Sequence, residues 1–249
     1  MYISRCVLFF CLICLCLTQA GIASNERSAS QEKQQRVEQA ADLFIQRWHE
    51  TLDMNVLFDE MYVSNAKQRS RNVEFFYGVY QFLTASGYGP AVDKDVDEKV
   101  LREGFMAFCN MFFLHDEYLL AYMESADEEL KYPPDILAAG QAYRKLKLNP
   151  KRMTRAQVIE FAAKANNVSS VYRKHLPPEV FKSARYQKNL KQEQDDSDED
   201  SKPFRLSKGF PEYLVGNDTE VYRLRRGVFD LYFVEEGGKL KVLTLGFEL

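Results

Sequence analysis

Along this chain of 249 residues the spacing of apolar side chains changes its period once, and that change limits the folds open to it. Up to about residue 186 apolar positions recur at steps of three and four, as on one face of an α-helix. From residue 204 onward they crowd into short runs rich in β-branched and aromatic residues, the mark of strands. Three such runs are Glu220–Arg226, Val228–Val234 and Leu240–Phe247, with Tyr213-Leu214-Val215 as a shorter fourth. Glu235-Glu236-Gly237-Gly238-Lys239 joins the last two long runs, and its paired glycines suit a hairpin turn. Phe229, Leu231 and Phe233 alternate with Val228, Tyr232 and Val234, so the ribbon is apolar on both faces. A lone hairpin is marginal in water. The fold class that follows is α+β: a predominantly helical body with a C-terminal antiparallel β-sheet docked onto it.

Within the helical part, Val37, Ala41, Phe44, Trp48 and Leu52 mark a first helix whose face carries the single tryptophan. Val56 to Val63 reads as a brief second helix, and Val73, Phe76, Tyr77, Tyr80 and Leu83 predict another over 72–85, ended by Ser86-Gly87-Tyr88-Gly89-Pro90. Residues 95–125 form the longest periodic stretch, and its middle, F-M-A-F-C-N-M-F-F-L, is apolar nearly all round. A helix of that kind belongs at the centre of a core, which makes Cys109 a buried, inert thiol. Pro133-Pro134 precedes a helix over 135–147. Thr154-Arg155-Ala156-Gln157 fits the capping box, in which the Thr and Gln side chains each satisfy an unpaired backbone amide. The helix after it is expected over 155–165, weakened at Asn166-Asn167, with a last amphipathic piece after Pro177-Pro178 through Val180, Phe181 and Ala184. Gln187–Pro203 has one large apolar residue, Leu190, and contains D-D-S-D-E-D. Such composition predicts a solvated acidic loop. It lacks the central Gly and terminal Glu spacing of a calcium loop.

The chain begins with a lone Arg5, an unbroken apolar run of 12 residues from Cys6 to Leu17, and the small pair Gly21 and Ala23 around Ile22. That layout predicts a cleavable secretory signal over 1–23; a membrane span needs roughly 20 apolar residues. Removing 23 of 249 residues leaves 226, with 24–30 as a loose leader. Residues 24–249 then read as one α+β domain: 31–186 helical, 187–203 the acidic loop, 204–249 the strands. Four of the five cysteines leave with the signal, so the remaining Cys109 can form no internal disulfide. Without Arg5 the charges are 32 basic against 36 acidic, an ordinary soluble surface with no excess to suggest nucleic acid. The expected location is secreted or periplasmic, with no membrane attachment once the signal is cleaved.

Two stretches carry a family resemblance. A-A-D-L-F-I-Q-R-W-H-E-T-L-D-M-N-V-L-F-D-E-M-Y-V resembles the opening helices of the nuclear transport factor 2-like superfamily, and G-V-F-D-L-Y-F-V-E-E-G-G-K-L-K-V-L-T-L-G-F resembles its closing strands. The resemblance implies a cone-shaped sheet, here with a helical insertion over 72–190 where that superfamily would place more strand. It also implies either plain binding or isomerase and dehydratase chemistry on an Asp–His pair in the cone. No motif carries that pair across to residues of this chain.

Candidate chemistry rests on three histidines, His49, His115 and His175. His49 and Asp53 are four apart on the first helix and can share a face as a hydrogen-bonded pair or as two metal ligands. His115-Asp116-Glu117 follows the most apolar part of the long helix; consecutive residues point 100° apart, so the three cannot converge on one substrate. His115 alone, facing inward with Phe108 and Phe112, could act as a general base. The mature chain has no G-x-S-x-G, phosphate-cradling loop, H-E-x-x-H or C-x-x-C. Two N-x-[ST] sequons begin at Asn167 and Asn217, and Arg223, Arg225 and Arg226 partly alternate as a positive stripe. No catalytic residue, cofactor site or metal site is assigned. The expectation is an exported, non-enzymatic domain that binds a small apolar ligand or a protein partner, with a homodimer through the C-terminal sheet as one arrangement. The alternative is a small-molecule lyase or isomerase using His115 or His49 with a carboxylate.

Overall fold

A computed structural model describes residues 31–64, 96–122, 132–147, 153–196, 202–206 and 219–246. The signal, the leader, the helix over 72–85 with its glycine-proline end, the strand at Tyr213–Val215, residues 197–200 of the acidic run and Asn217 lie outside them. The fold is α+β, as the change of period requires: helices first, then an antiparallel sheet of four strands.

Helix α1 spans 31–51, and Val37, Ala41, Phe44 and Trp48 are fully buried along one face. It stops where Leu52 takes φ 49°, a left-handed conformation that costs a non-glycine residue about 1–2 kcal/mol. The Arg173 guanidinium donates two hydrogen bonds to the Leu52 carbonyl, at 2.8 and 3.2 Å, and holds that turn. Helix α2 (Met54–Met61) follows at once; the Asp53 side chain accepts from the Asn55 amide and Asn110 accepts from the Met54 amide. Helix α3 (Glu98–Tyr122) is the central helix expected from its all-round apolar stretch, with Phe105, Phe108, Met111 and Phe113 buried.

Helix α4 (Pro134–Lys147) opens on a proline, which loses nothing in the first turn because that amide would be unpaired anyway. Helix α5 (Arg155–Lys174) begins at the expected capping box, both halves of which are formed. It does not end near Asn166-Asn167 but continues nine residues past 165. Val158, Phe161, Ala165, Val168 and Tyr172 form one unbroken buried stripe, and both asparagines face solvent. Packing of that stripe outweighs the weak helix propensity of Asn. A short 3₁₀ turn (Val180–Lys182) leads into helix α6 (Ala184–Asp196). Here the expected loop is corrected: Gln187 to Asp196 is helical. Tyr186 is buried, the Gln187 side chain donates to the Phe181 carbonyl and the Asn189 side chain donates to the Leu120 carbonyl, so this polar segment has anchors its composition does not advertise.

The strands are β1 (Phe204–Leu206), β2 (Val221–Arg226), β3 (Phe229–Glu236) and β4 (Lys239–Gly246), paired in sequence order. Gly237 and Gly238 both have positive φ, 58° and 75°, as a tight hairpin turn needs. A register shift between Tyr232 and Phe233 leaves Leu243 without a direct partner across the ladder. Because of that bulge, Val242 and Leu245, three residues apart, both reach the helical side, where strict alternation would send one of them away. Phe229 is the point of contact: its ring lies 5.2 Å from Phe44, 5.3 Å from Trp48 and 4.4 Å from Phe113. Helices and sheet thus share one core. The opposite face of the sheet is apolar too, with Val221, Val234 and Leu243 packed with Val63. Tyr62 bridges Val242 in parallel, and the Val63 amide donates to the Val242 carbonyl, so part of the β4 edge is already paired.

Candidate functional site: two clusters of imidazole and phenol

Glu117 is fully buried in the core. A carboxylate there must be hydrogen-bonded to be tolerated. The indole of Trp48 donates to its Oε1 at 3.1 Å, and the hydroxyl of Tyr186 donates to its Oε2 at 2.8 Å. His49 Nε2 lies 3.6 Å from Oε1 and 3.1 Å from the Tyr186 oxygen. With the phenolic proton directed at Glu117, the His49–Tyr186 contact requires a proton on Nε2, which fixes the tautomer. The imidazole also stacks on Phe181, 3.9 Å between centroids and 7° between planes. The network ties α1, α3, the 3₁₀ turn and α6 together. The expected His49–Asp53 pair is absent, because the left-handed turn at Leu52 ends α1 and Asp53 becomes the cap of α2.

A second cluster lies at the other end of α3. Helices α3 and α5 run parallel: a Cβ on Gly104 would sit 2.7 Å from Val158, Phe108 faces Phe161 at 6.5 Å, and Tyr118 faces Tyr172 at 5.6 Å. Their C-terminal ends therefore meet, and the start of α4 closes on both. His115 stacks on Tyr143 at 4.0 Å and meets Tyr172 edge-on at 5.6 Å. Tyr118 contacts Tyr122 at 4.8 Å, Tyr132 at 6.4 Å and His175 at 6.4 Å. His115 Nδ1 is 3.1 Å from the Asp116 carboxylate, and His175 Nε2 is 3.0 Å from that of Asp135. So His115 and Asp116 touch one another across the helix surface, while Glu117 joins the other network. His115 is turned toward tyrosines, not toward Phe108 and Phe112.

Burial pushes the Tyr118 phenol up to about 12, with Tyr122, Tyr132 and Asp135 adding to it, and pushes Tyr172 up to about 12 as well. Burial raises Tyr143 too. All three are neutral hydroxyls at pH 7. Asp135 goes the other way: the His175 hydrogen bond, and then Lys174, hold its carboxyl down at about 2. Tyr118 and Tyr172 are only 4% and 2% exposed, and among the described residues neither hydroxyl has a hydrogen-bond partner. Buried polar groups are nearly always paired, so these two oxygens are the exception in this region. Tyr122, by contrast, donates to the His175 carbonyl at 2.7 Å.

Cys109 is a buried free thiol, and burial raises its ionisation well above the ordinary value, as expected for an inert core cysteine. Arg223 binds Asp230 at 2.7 Å and Arg226 binds Asp42 at 3.1 Å; Arg225 stands opposite Asp230 in the ladder. Asn167 is exposed on α5, but Ser169 of its sequon is buried with its hydroxyl on the Ala165 carbonyl. Among the described residues no group of three or more His, Cys, Asp or Glu is placed to hold a metal ion, and no helix is long and apolar enough to cross a membrane.

Glu117 enters the sequence reading only as the last of His115-Asp116-Glu117, yet it follows Asn110, Phe113 and Leu114 at the three- and four-residue steps of the buried face of α3. A charge at such a position was the available signal. The tyrosines of the second cluster come from three helices, and nothing local in sequence joins Tyr118 to Tyr143 or Tyr172. No protein-family model matches the chain, and neither a curated protein nor a solved structure matches it.

Proposed function

We propose that this is an exported, non-enzymatic domain that binds a small ligand on the tyrosine–histidine cluster where α3, α4 and α5 meet. One observation carries the reading: the hydroxyls of Tyr118 and Tyr172 are nearly buried and have no hydrogen-bond partner among the described residues. Native structures rarely leave such groups unpaired without a bound water, ion or ligand to satisfy them. Half-buried Tyr122, Tyr132, His115 and His175 surround them and supply flat, partly accessible surface. A screen of small aromatic compounds, followed through the ring signals of the tyrosines and histidines by NMR, tests the site. Hits are expected to move Tyr118, Tyr132, Tyr172 and His175 together; hits that map only elsewhere would refute this placement. Export rests on the signal at 1–23 and is tested by the mass of the secreted protein, which should begin at Ser24.

The second reading is a lyase or isomerase, favoured by the contact of His49 with Glu117 and Tyr186. In it, the buried acid would orient an imidazole whose Nδ1 works as a general base. Any turnover found should vanish in His49→Gln; turnover that survives removes this mechanism. Membership of the nuclear transport factor 2-like superfamily is carried in the same way. The packing of α1 across Phe229 agrees with it, and the helical block α3–α6 between the two resembling stretches is the departure.

A further inference from the structure

The tyrosine cluster has a charge preference as well as a shape, and we propose that it takes the ammonium group of a small arylalkylamine. This deepens the binding reading and rests on it. Two parallel helices end there, so the partial negative charges of two sets of C-terminal carbonyls point at one place. Helix α3 has no basic residue in its last turn to offset its own end. Helix α5 has Arg173 and Lys174, but Arg173 is turned away to the Leu52 carbonyl, and Lys174 is largely exposed at the rim on Asp135. Asp116 and Asp135 add full negative charges beside the rings.

The rings themselves favour the same guest. An ammonium over the face of a tyrosine is attracted by the ring quadrupole, and cages of aromatic side chains are a recurrent way to hold organic cations. The Tyr118 and Tyr172 oxygens have lone pairs that no described group uses, so they can accept N–H bonds from a primary ammonium. An anion would face two carboxylates and two helix C-termini, against the charges of Arg144, which acts on Tyr172, and Arg185, which acts on Tyr122. The aryl part has stacking partners in Tyr132 and His175, both half-buried.

Benzylamine, benzyl alcohol and benzoate present one ring with a cationic, a neutral and an anionic head. Each is titrated into the protein at pH 7 and followed by the ring signals of Tyr118, Tyr172 and His175. Benzylamine is expected to bind about tenfold tighter than benzyl alcohol, and benzoate weakest. Equal affinity for amine and alcohol overturns the charge assignment and leaves the binding site standing. Silence of these signals with all three overturns both. Tyr118→Phe and Tyr172→Phe keep the rings and remove the acceptors, and each is expected to weaken benzylamine about tenfold. Gly140→Ala is the third variant: it favours the helix and puts a methyl 3.8 Å from the Tyr172 oxygen, where it should compete with a guest bound to that oxygen. Unchanged benzylamine affinity in all three variants overturns the proposal.

Discussion

Replacing Glu117 by leucine removes an acceptor while leaving its donors in the core. The Trp48 N–H loses its acceptor, and the Tyr186 O–H loses Glu117 and turns to His49. Hydrogen bonds to a buried carboxylate are worth about 1.5–3 kcal/mol each. Glu117→Leu, which loses two, should therefore cost about 3–6 kcal/mol in urea unfolding. For a chain of this size that is a fall of about 6–24 °C in melting temperature, at about 2–4 °C per kcal/mol. Glutamine is the informative control. Its carbonyl can accept from Trp48, and its amide can donate to the Tyr186 oxygen if the phenolic proton turns to His49. Glu117→Gln should cost about 1 kcal/mol, the typical net worth of one hydrogen bond. A Glu117→Leu protein within 1 kcal/mol of the parent refutes the view of Glu117 as a tie between helices.

Two other perturbations follow from the helical body. In Gly104→Ala the new Cβ would lie 2.7 Å from Val158 Cγ1, closer than any real contact. Overpacking of about 1–3 kcal/mol is set against a helix-propensity gain of about 1 kcal/mol, for a net loss that Val158→Ala should reverse in thermal unfolding. If the double variant is no better than the single one, the close approach of α3 and α5 is misplaced. Asp135 gives the pH case. Its carboxyl is held at about 2 by His175 and Lys174, below the ordinary aspartate value of about 3.9. A depressed pKa favours the folded state above the unfolded value, and that contribution fades as pH falls from about 4 toward 2. Carbon NMR should place its midpoint near 2, rising in His175→Asn; a midpoint near 4 in the parent removes the pair.

Much of the architecture is legible residue by residue, and the failures have a common cause. The stripe Val37–Ala41–Phe44–Trp48, the Thr154–Gln157 box and the Gly237-Gly238 turn are local signals, and each forms where expected. The end of α5 and the part of α6 from Gln187 onward depart from the expectation because local composition speaks against helix while tertiary contacts favour it. Asn166-Asn167 sits on the solvent side of a stripe that packs on α3, and Gln187 and Asn189 find carbonyls that belong to other elements. The β4 bulge has no sequence mark of its own. It shows only in Val242 and Leu245 sharing a side. Of the two polar clusters, Glu117 could be found by its position on a buried stripe. The tyrosine cluster depends on α3 and α5 lying parallel, which helical periodicity does not encode.

The two clusters contain the same chemical groups and should answer one substitution in opposite ways. Tyr186 has its hydroxyl between Glu117 and His49, so Tyr186→Phe strips a bond from a buried carboxylate. That should cost about 1.5–3 kcal/mol, the range for bonds to charged groups. Among the described residues the Tyr118 hydroxyl has no hydrogen-bond partner. Tyr118→Phe therefore removes no described bond, and should leave stability unchanged or slightly higher in the absence of ligand. Matching unfolding curves for the two variants settle the contrast, and a loss above 1 kcal/mol in Tyr118→Phe would mean that its hydroxyl serves the structure, removing the reason to place a ligand there.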